Sequence, residues 1–191
     1  MRDVYVNNKL YLNAEIYRSP IMFLRNLSIA CLSVILVSCG GEKIKPEAYN
    51  DALVTEQINV VKAAEELQEG FDTYIKEDMQ TLFNRYNQQV EASLNKVKDI
   101  GDYNDNNAFQ NATVQLLEVY QTLGKKEYSQ AKEMLSKPDS LYSKNDEARV
   151  ELLFKQIDRT IQKATEVYQK EQDKFAVKNK IQLIPDSLST K

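Results

Sequence analysis

Histidine is absent from all 191 residues, and cysteine occurs only twice. The first absence removes the commonest general base and the commonest transition-metal ligand together. Ser-His-Asp hydrolysis, Cys/His zinc sites and the Glu-x-x-His di-iron arrangement of helical bundles are thereby excluded. Cys31 and Cys39 both lie in or beside one N-terminal apolar run, so the rest of the chain has neither a thiol nor a disulfide. Five glycines and four prolines are few for this length, and most fall where a helix would start or stop. Charge is not concentrated in one sign either: 25 basic and 28 acidic residues give a formal net charge of −3. Interspersed charge with no visible basic stripe argues against a dedicated nucleic-acid binder. The longest apolar core, residues 27–37, falls short of the ~20 residues that span a bilayer as a helix.

What is present begins with Leu36-Val37-Ser38-Cys39-Gly40, small residues and a cysteine closing that apolar core, which follows Arg25. A basic flank, a short apolar core and a small-residue cleavage site are the parts of an export signal. The string resembles the lipobox of bacterial lipoproteins, which implies a diacylglyceryl group on Cys39 and cleavage between Ser38 and Cys39. Cys31 is a poorer candidate, because Leu32-Ser33-Val34-Ile35-Leu36-Val37 would remain on the mature end. Asp3 and Glu15 put acid where a leader should be basic, so Met22 is the expected start and residues 1–21 an extension or disordered overhang. The expected organisation is then a signal peptide at 22–38, a lipidated tether at 39–45, a helical bundle at 46–184 and a flexible tail at 185–191. Removing residues 1–38 leaves about 150 residues, enough for one domain with its own core.

Beyond the tether the chain reads as helix. A first helix is expected from Pro46, which suits the first helical position, to about residue 69, with Gly70 as its stop. Tyr49, Leu53, Val60, Ala64 and Leu67 form its apolar face, and Gln57 fills the gap in the series. A second, at about 72–100, carries Ile75, Met79, Leu82, Phe83, Tyr86, Val90, Leu94 and Val97, and Gly101 ends it. The Asp/Asn-rich stretch 102–107 is a turn whose side chains can accept hydrogen bonds from the next helix's free amides. The third series, Phe109, Ala112, Leu116, Tyr120, Leu123, Ala131 and Leu135, keeps its phase across Gly124, which favours one kinked helix over two. Lys137-Pro138-Asp139-Ser140 breaks it. Ser143 to Asp146 then has the form of a capping box with Asp in the Glu position, opening a fourth helix to about residue 179. Val150, Leu153, Ile157, Ile161, Ala164, Tyr168 and Phe175 form its stripe. Ile181, Leu183 and Ile184 are expected to fold back onto the bundle end. The expected class is all-α, an elongated antiparallel four-helix bundle in up-down-up-down order.

Among candidate functional residues, Tyr49, Tyr86, Tyr120 and Tyr168 fall on apolar stripes. They either line a ligand slot or are core tyrosines bonded to Gln57, Gln172 or backbone carbonyls, and helical spacing alone favours the core. The carboxylates Glu65, Glu66 and Glu69, and likewise Asp146, Glu147 and Glu151, could face one hard cation. A solvated face for the first group and a helix N-terminus for the second explain them more simply. No catalytic, cofactor-binding or metal-ligating residue is assigned, and no cofactor is expected. Asp139-Ser140-Leu141 and Asp186-Ser187-Leu188 resemble an Asp-Ser/Thr-apolar O-glycosylation sequon of Gram-negative exported proteins, making Ser140 and Ser187 candidate modification sites.

Tyr49-Asn50-Asp51-Ala52-Leu53-Val54-Thr55-Glu56-Gln57, Lys96-Val97-Lys98 before Gly101, Leu135-Ser136-Lys137-Pro138 and Gln172-Asp173-Lys174-Phe175-Ala176 are similar to blocks of a family of helical Gram-negative surface lipoproteins. That resemblance implies an envelope protein with a lipobox and no assigned reaction. The expected function is a non-catalytic interaction or structural module, anchored in the outer membrane through lipid on Cys39, with an envelope protein as partner and no nucleic acid. The alternative is a small-ligand carrier using an inter-helix pocket lined by tyrosines.

Overall fold

Apolar residues recurring at steps of three and four generate α-helix along nearly the whole of residues 44–73 and 76–183, the residues described by this computed structural model. The helices are α1 (Pro46–Thr73), α2 (Lys76–Ile100), α3 (Ala108–Leu123), α4 (Ser129–Leu135) and α5 (Lys144–Asn179). Gly124–Tyr128 is a π-helical turn that joins α3 to α4 without a break. The class is all-α, a helical bundle, with no strand among the described residues.

Gly70 does not stop α1, contrary to the sequence expectation. It sits inside the helix with the end of the Leu82 side chain of α2 packed against it, where a Cβ would lie 2.3 Å from Leu82 Cδ1. Gly101 does end α2, in the left-handed conformation with φ +72. The orphan carbonyls of that terminus are taken up from neighbouring helices: Tyr49 Oη donates to Gly101 O at 3.0 Å, and Gln110 Nε2 to Val97 O at 2.9 Å. Asn104 and Asp105 have φ of 49 and 59, and Tyr103 and Asn106 exchange backbone hydrogen bonds around them. That tight turn aims Asn106 Oδ1 at the Ala108 amide, 3.1 Å away, so Asn106 rather than Asn107 covers the start of α3.

The capping box at Ser143 is formed: Asp146 N–H donates to Ser143 Oγ at 3.2 Å, and Ser143 N–H to Asp146 Oδ2 at 3.0 Å. At the far end, Lys180 takes φ 57 while Ile181 N–H bonds Ala176 O and Lys180 N–H bonds Val177 O. This Schellman closure turns the chain so that Ile181 and Leu183 are half-buried. Ile75 and Ile184 lie outside the described residues.

Contacts between helices fix their register. Glu66 pairs with Arg85 and Glu56 with Lys96, so α1 and α2 run antiparallel. Tyr86 meets Tyr120 while Val97 meets Gln110, which sets α3 antiparallel to α2. Between α1 and α5, Gln172 bonds Asn50 at one end and Phe154 meets Phe71 at the other, with ring centroids 5.9 Å apart. The residues between them are the core: every stripe position assigned from spacing in α1 and α3 is buried, as are Val90, Leu94 and Val97 of α2 and Val150, Ile157 and Ile161 of α5. Leu82, Phe83 and Ala164 are only half-buried.

Candidate functional site

Along α3 and the π turn the residues at 116, 120, 124 and 128, three successive steps of four, are all buried. In a regular α-helix each such step drifts by about 40°, which would swing the last of them off the core face. A π turn takes one extra residue into its hydrogen-bonded ring and brings Tyr128 back inward, where it is fully buried at 0% exposure. Tyr128 is thus a central aromatic that the assigned stripe omitted. The signal was present in the run of fours, and the small residue at Gly124 made it look like a gap.

Around this bulge the tyrosines are committed to protein partners. Tyr86 Oη donates to Tyr120 O at 2.6 Å. The Tyr86 ring stands edge-on to Tyr128, centroids 5.2 Å apart and planes at 70°. Gln68 Nε2 donates to Tyr128 Oη at 2.8 Å, and Phe71 lies 6.2 Å from the Tyr128 ring. A second aromatic cluster gathers where α1 begins and α5 ends. There Tyr49, Tyr103, Phe109 and Phe175 lie 5.1 to 5.5 Å from their ring neighbours, and Tyr168 lies 5.6 Å from Phe109.

Of the partners proposed from sequence, carbonyls are the ones used, by Tyr49 and Tyr86. Gln172 bonds Asn50 instead. Gln57 Nε2 and Tyr168 Oη are both buried and have no hydrogen-bond partner among the described residues.

Burial raises the phenol pKa of Tyr49, Tyr86, Tyr120, Tyr128 and Tyr168. Tyr49 is pushed up to about 12, by desolvation and then by the charge of Asp102. Tyr86, Tyr120 and Tyr168 are raised as well, each chiefly through desolvation. For Tyr128 desolvation outweighs the Gln68 hydrogen bond, which acts the other way, and the nearby Asp158 adds to the rise. Neutral phenols of this kind donate hydrogen bonds and shape a core; they do not supply a tyrosinate near neutral pH.

Members of both carboxylate groups are paired with basic residues. Glu66 pairs with Arg85 at 3.3 Å, Glu151 with Lys155, and Asp146 with Lys137 at 2.7 Å. Lys137 and Ser143 hold Asp146 well below the usual carboxylate range. No group of three or more Asp, Glu, Cys or His among the described residues is placed to hold a metal ion. The carboxylate that spacing did not single out is Glu56, buried on α1, which accepts from Ser93 Oγ at 2.7 Å and from Lys96 Nζ at 3.1 Å. Asp72 and Asp158 are both raised, chiefly by partial burial.

Ser140 is exposed in the turn after α4, where Leu141 and Tyr142 N–H both donate to Pro138 O. Ser38, Cys39 and Ser187 lie outside the described residues. No described helix is long and apolar enough to cross a membrane. No family model, curated protein or solved structure matches the chain.

Proposed function

We propose that the chain is a lipid-anchored envelope lipoprotein whose helical bundle is a non-catalytic interaction or structural module. The observation that carries this reading is Leu36-Val37-Ser38-Cys39-Gly40 at the end of a short apolar core. A diacylglyceryl group on the Cys39 sulfur, followed by cleavage of the Ser38–Cys39 bond, leaves a lipidated N-terminus. Each buried methylene contributes ~0.8 kcal/mol, and more than one acyl chain makes attachment stable. Residues 40–45 form a tether of at most ~20 Å, so the bundle stays close to the lipid surface. The outer membrane is the favoured location, and an envelope protein is the expected partner. The commitment of Tyr49, Tyr86 and Tyr128 to internal hydrogen bonds supports a packed module.

Metabolic labelling with a clickable fatty acid tests the anchor. Cys39→Ala abolishes the label and leaves an uncleaved precursor, whereas Cys31→Ala changes neither. Label retained on the Cys39 variant would sink the assignment. The same reading includes O-glycosylation at Ser140 and Ser187, supported by the exposure of Ser140 in its turn; unmodified peptides for both serines from the native host would end it.

One observation favours the ligand-carrier alternative. Gln57 Nε2 and Tyr168 Oη are buried polar atoms without a described partner, and the α1–α5 register puts residues 57 and 168 at nearly the same level. Native mass spectrometry of the purified chain would reveal a retained small molecule, lost in Tyr168→Phe. Mass of the polypeptide alone, in both proteins, would leave the module reading.

A further inference from the structure

The sequence shows no basic stripe because Lys and Arg alternate with acids along the chain; folding into a helix sorts them. On α5 the face opposite Val150, Ile157, Ile161 and Tyr168 presents Arg149, Arg159, Lys163, Lys170 and Lys174, all exposed. Helical geometry at 3.6 residues per turn gathers these five within an arc of about 80°, and no acidic residue of α5 falls inside it. Glu166 and Asp173 lie just outside. Lys174 pairs with Glu171 at 2.6 Å, while Arg149, Arg159, Lys163 and Lys170 make no ion pair among the described residues. The same arc carries three exposed apolar side chains, Leu152 at 64%, Val167 at 50% and Val177 at 80%. Scattered exposed aliphatics are ordinary, but three of them in register with an acid-free basic stripe form one continuous amphiphilic face.

The register of the bundle places this face. Asn50 with Gln172, and Tyr49 with Phe175, bring the C-terminal third of α5 beside the first turns of α1. That is the end at which the chain enters from Lys45, itself exposed. A tether of ~20 Å from Cys39 therefore holds Lys170, Lys174 and Val177 near the bilayer.

We propose that the outer face of α5 docks on an anionic phospholipid surface, its Lys and Arg on headgroup phosphates and Val167 and Val177 entering the interfacial layer. The placement rests on the lipoprotein reading; the stripe itself does not. Basic residues over anionic headgroups with apolar side chains between them is how surface-bound helices hold a membrane. Attraction over a Debye length of ~8 Å at physiological salt is enough once the tether has brought the face there.

The test is vesicle flotation of the full chain, both acylated and as Cys39→Ala, on phosphatidylglycerol/phosphatidylcholine vesicles against phosphatidylcholine alone. The ratio of the two partition coefficients isolates charge recognition from any apolar insertion common to both vesicles. At low salt the anionic vesicles are preferred about tenfold or more, and the preference disappears at high salt. Lys163→Glu, Lys170→Glu and Lys174→Glu combined abolish it. The same charge change at exposed positions elsewhere, Lys62→Glu, Lys125→Glu and Lys126→Glu, leaves most of it.

Equal loss in the two triple variants, or no preference in the wild-type chain, would overturn the proposal. So would stripe-dependent binding of a soluble RNA without a vesicle preference. A failed anchor is read separately, from absent fatty-acid label at Cys39, while the ratio measured on the Cys39→Ala chain still reports the stripe.

Discussion

Gly124 lies directly against the Tyr86 ring: a Cβ on Gly124 would stand 2.9 Å from Tyr86 Cε1 and 2.5 Å from Asn87 Oδ1. Tyr86 has no freedom to yield, since its hydroxyl is bonded to Tyr120 O at 2.6 Å and its ring edge meets Tyr128. The π turn and the close approach of α2 are thus one feature seen from two helices.

Gly124→Ala is expected to destabilise the protein by about 1 to 3 kcal/mol through overpacking, even though alanine is the better helix former by ~1 kcal/mol. Gly70→Ala meets only the rotatable end of the half-buried Leu82, so the helix preference offsets the contact and stability stays within about 1 kcal/mol of wild type. Urea melts of the two variants distinguish them, and equal losses would refute the difference in packing.

The buried phenols make stability fall at alkaline pH. An unfolded tyrosine ionises near pH ~10, whereas folded Tyr49 does so at about 12, and Tyr86, Tyr120, Tyr128 and Tyr168 are also raised. Below the unfolded value both states keep the proton and the full stability is present. From there upward the unfolded chain releases protons that the folded chain retains, so stability drops across the window up to about 12 for Tyr49, and the raised phenols of the other four act in the same direction. Tyrosinate absorbance followed together with helical circular dichroism should show these phenols ionising only as helix is lost. Ionisation of every tyrosine near the ordinary value with helix intact would contradict their burial.

Ser143→Ala removes an N-cap and should cost about 1 kcal/mol. Asp146 acts in the opposite pH direction to the tyrosines. Its folded pKa is depressed by Lys137 and Ser143, so its contribution is complete above the unfolded value of ~3.9. It is lost as pH falls through that value toward the folded one. Relative to Asp146→Asn, the wild-type chain should lose stability as pH drops below about 4. Parallel pH profiles for the two proteins in denaturant melts would mean that the capping box carries no pH-dependent stability.

Leu94, Leu116 and Ile157 come from three different helices and are each at most 3% exposed. Truncation of any one to Ala should cost roughly 2 to 5 kcal/mol by transfer and cavity terms. Lys62→Ala, at an exposed position, should stay within about 0.5 kcal/mol of wild type. Similar small losses at all four positions would mean the stripes do not meet in one core.

Local chemistry settled much of this protein without reference to tertiary structure. Steps of three and four placed Leu53, Leu94, Leu116 and Ile157 on buried faces, because a helix of 3.6 residues per turn admits few other arrangements of such a pattern. Ser143 with Asp146 and the left-handed Gly101 marked helix ends through side-chain and backbone preferences that act within a few residues. The composition without histidine likewise narrowed the chemistry before any folding. What distant segments do to one another was not legible. Gly70 looks like a helix stop until Leu82 is seen against it. Tyr128 looks out of phase until the π turn that accommodates Gly124 against Tyr86 is known. In each case the deciding quantity is a distance between residues far apart in sequence or an angle accumulated around a helix. Packing sets the first and the hydrogen-bond ladder the second, and neither is a property of any residue alone.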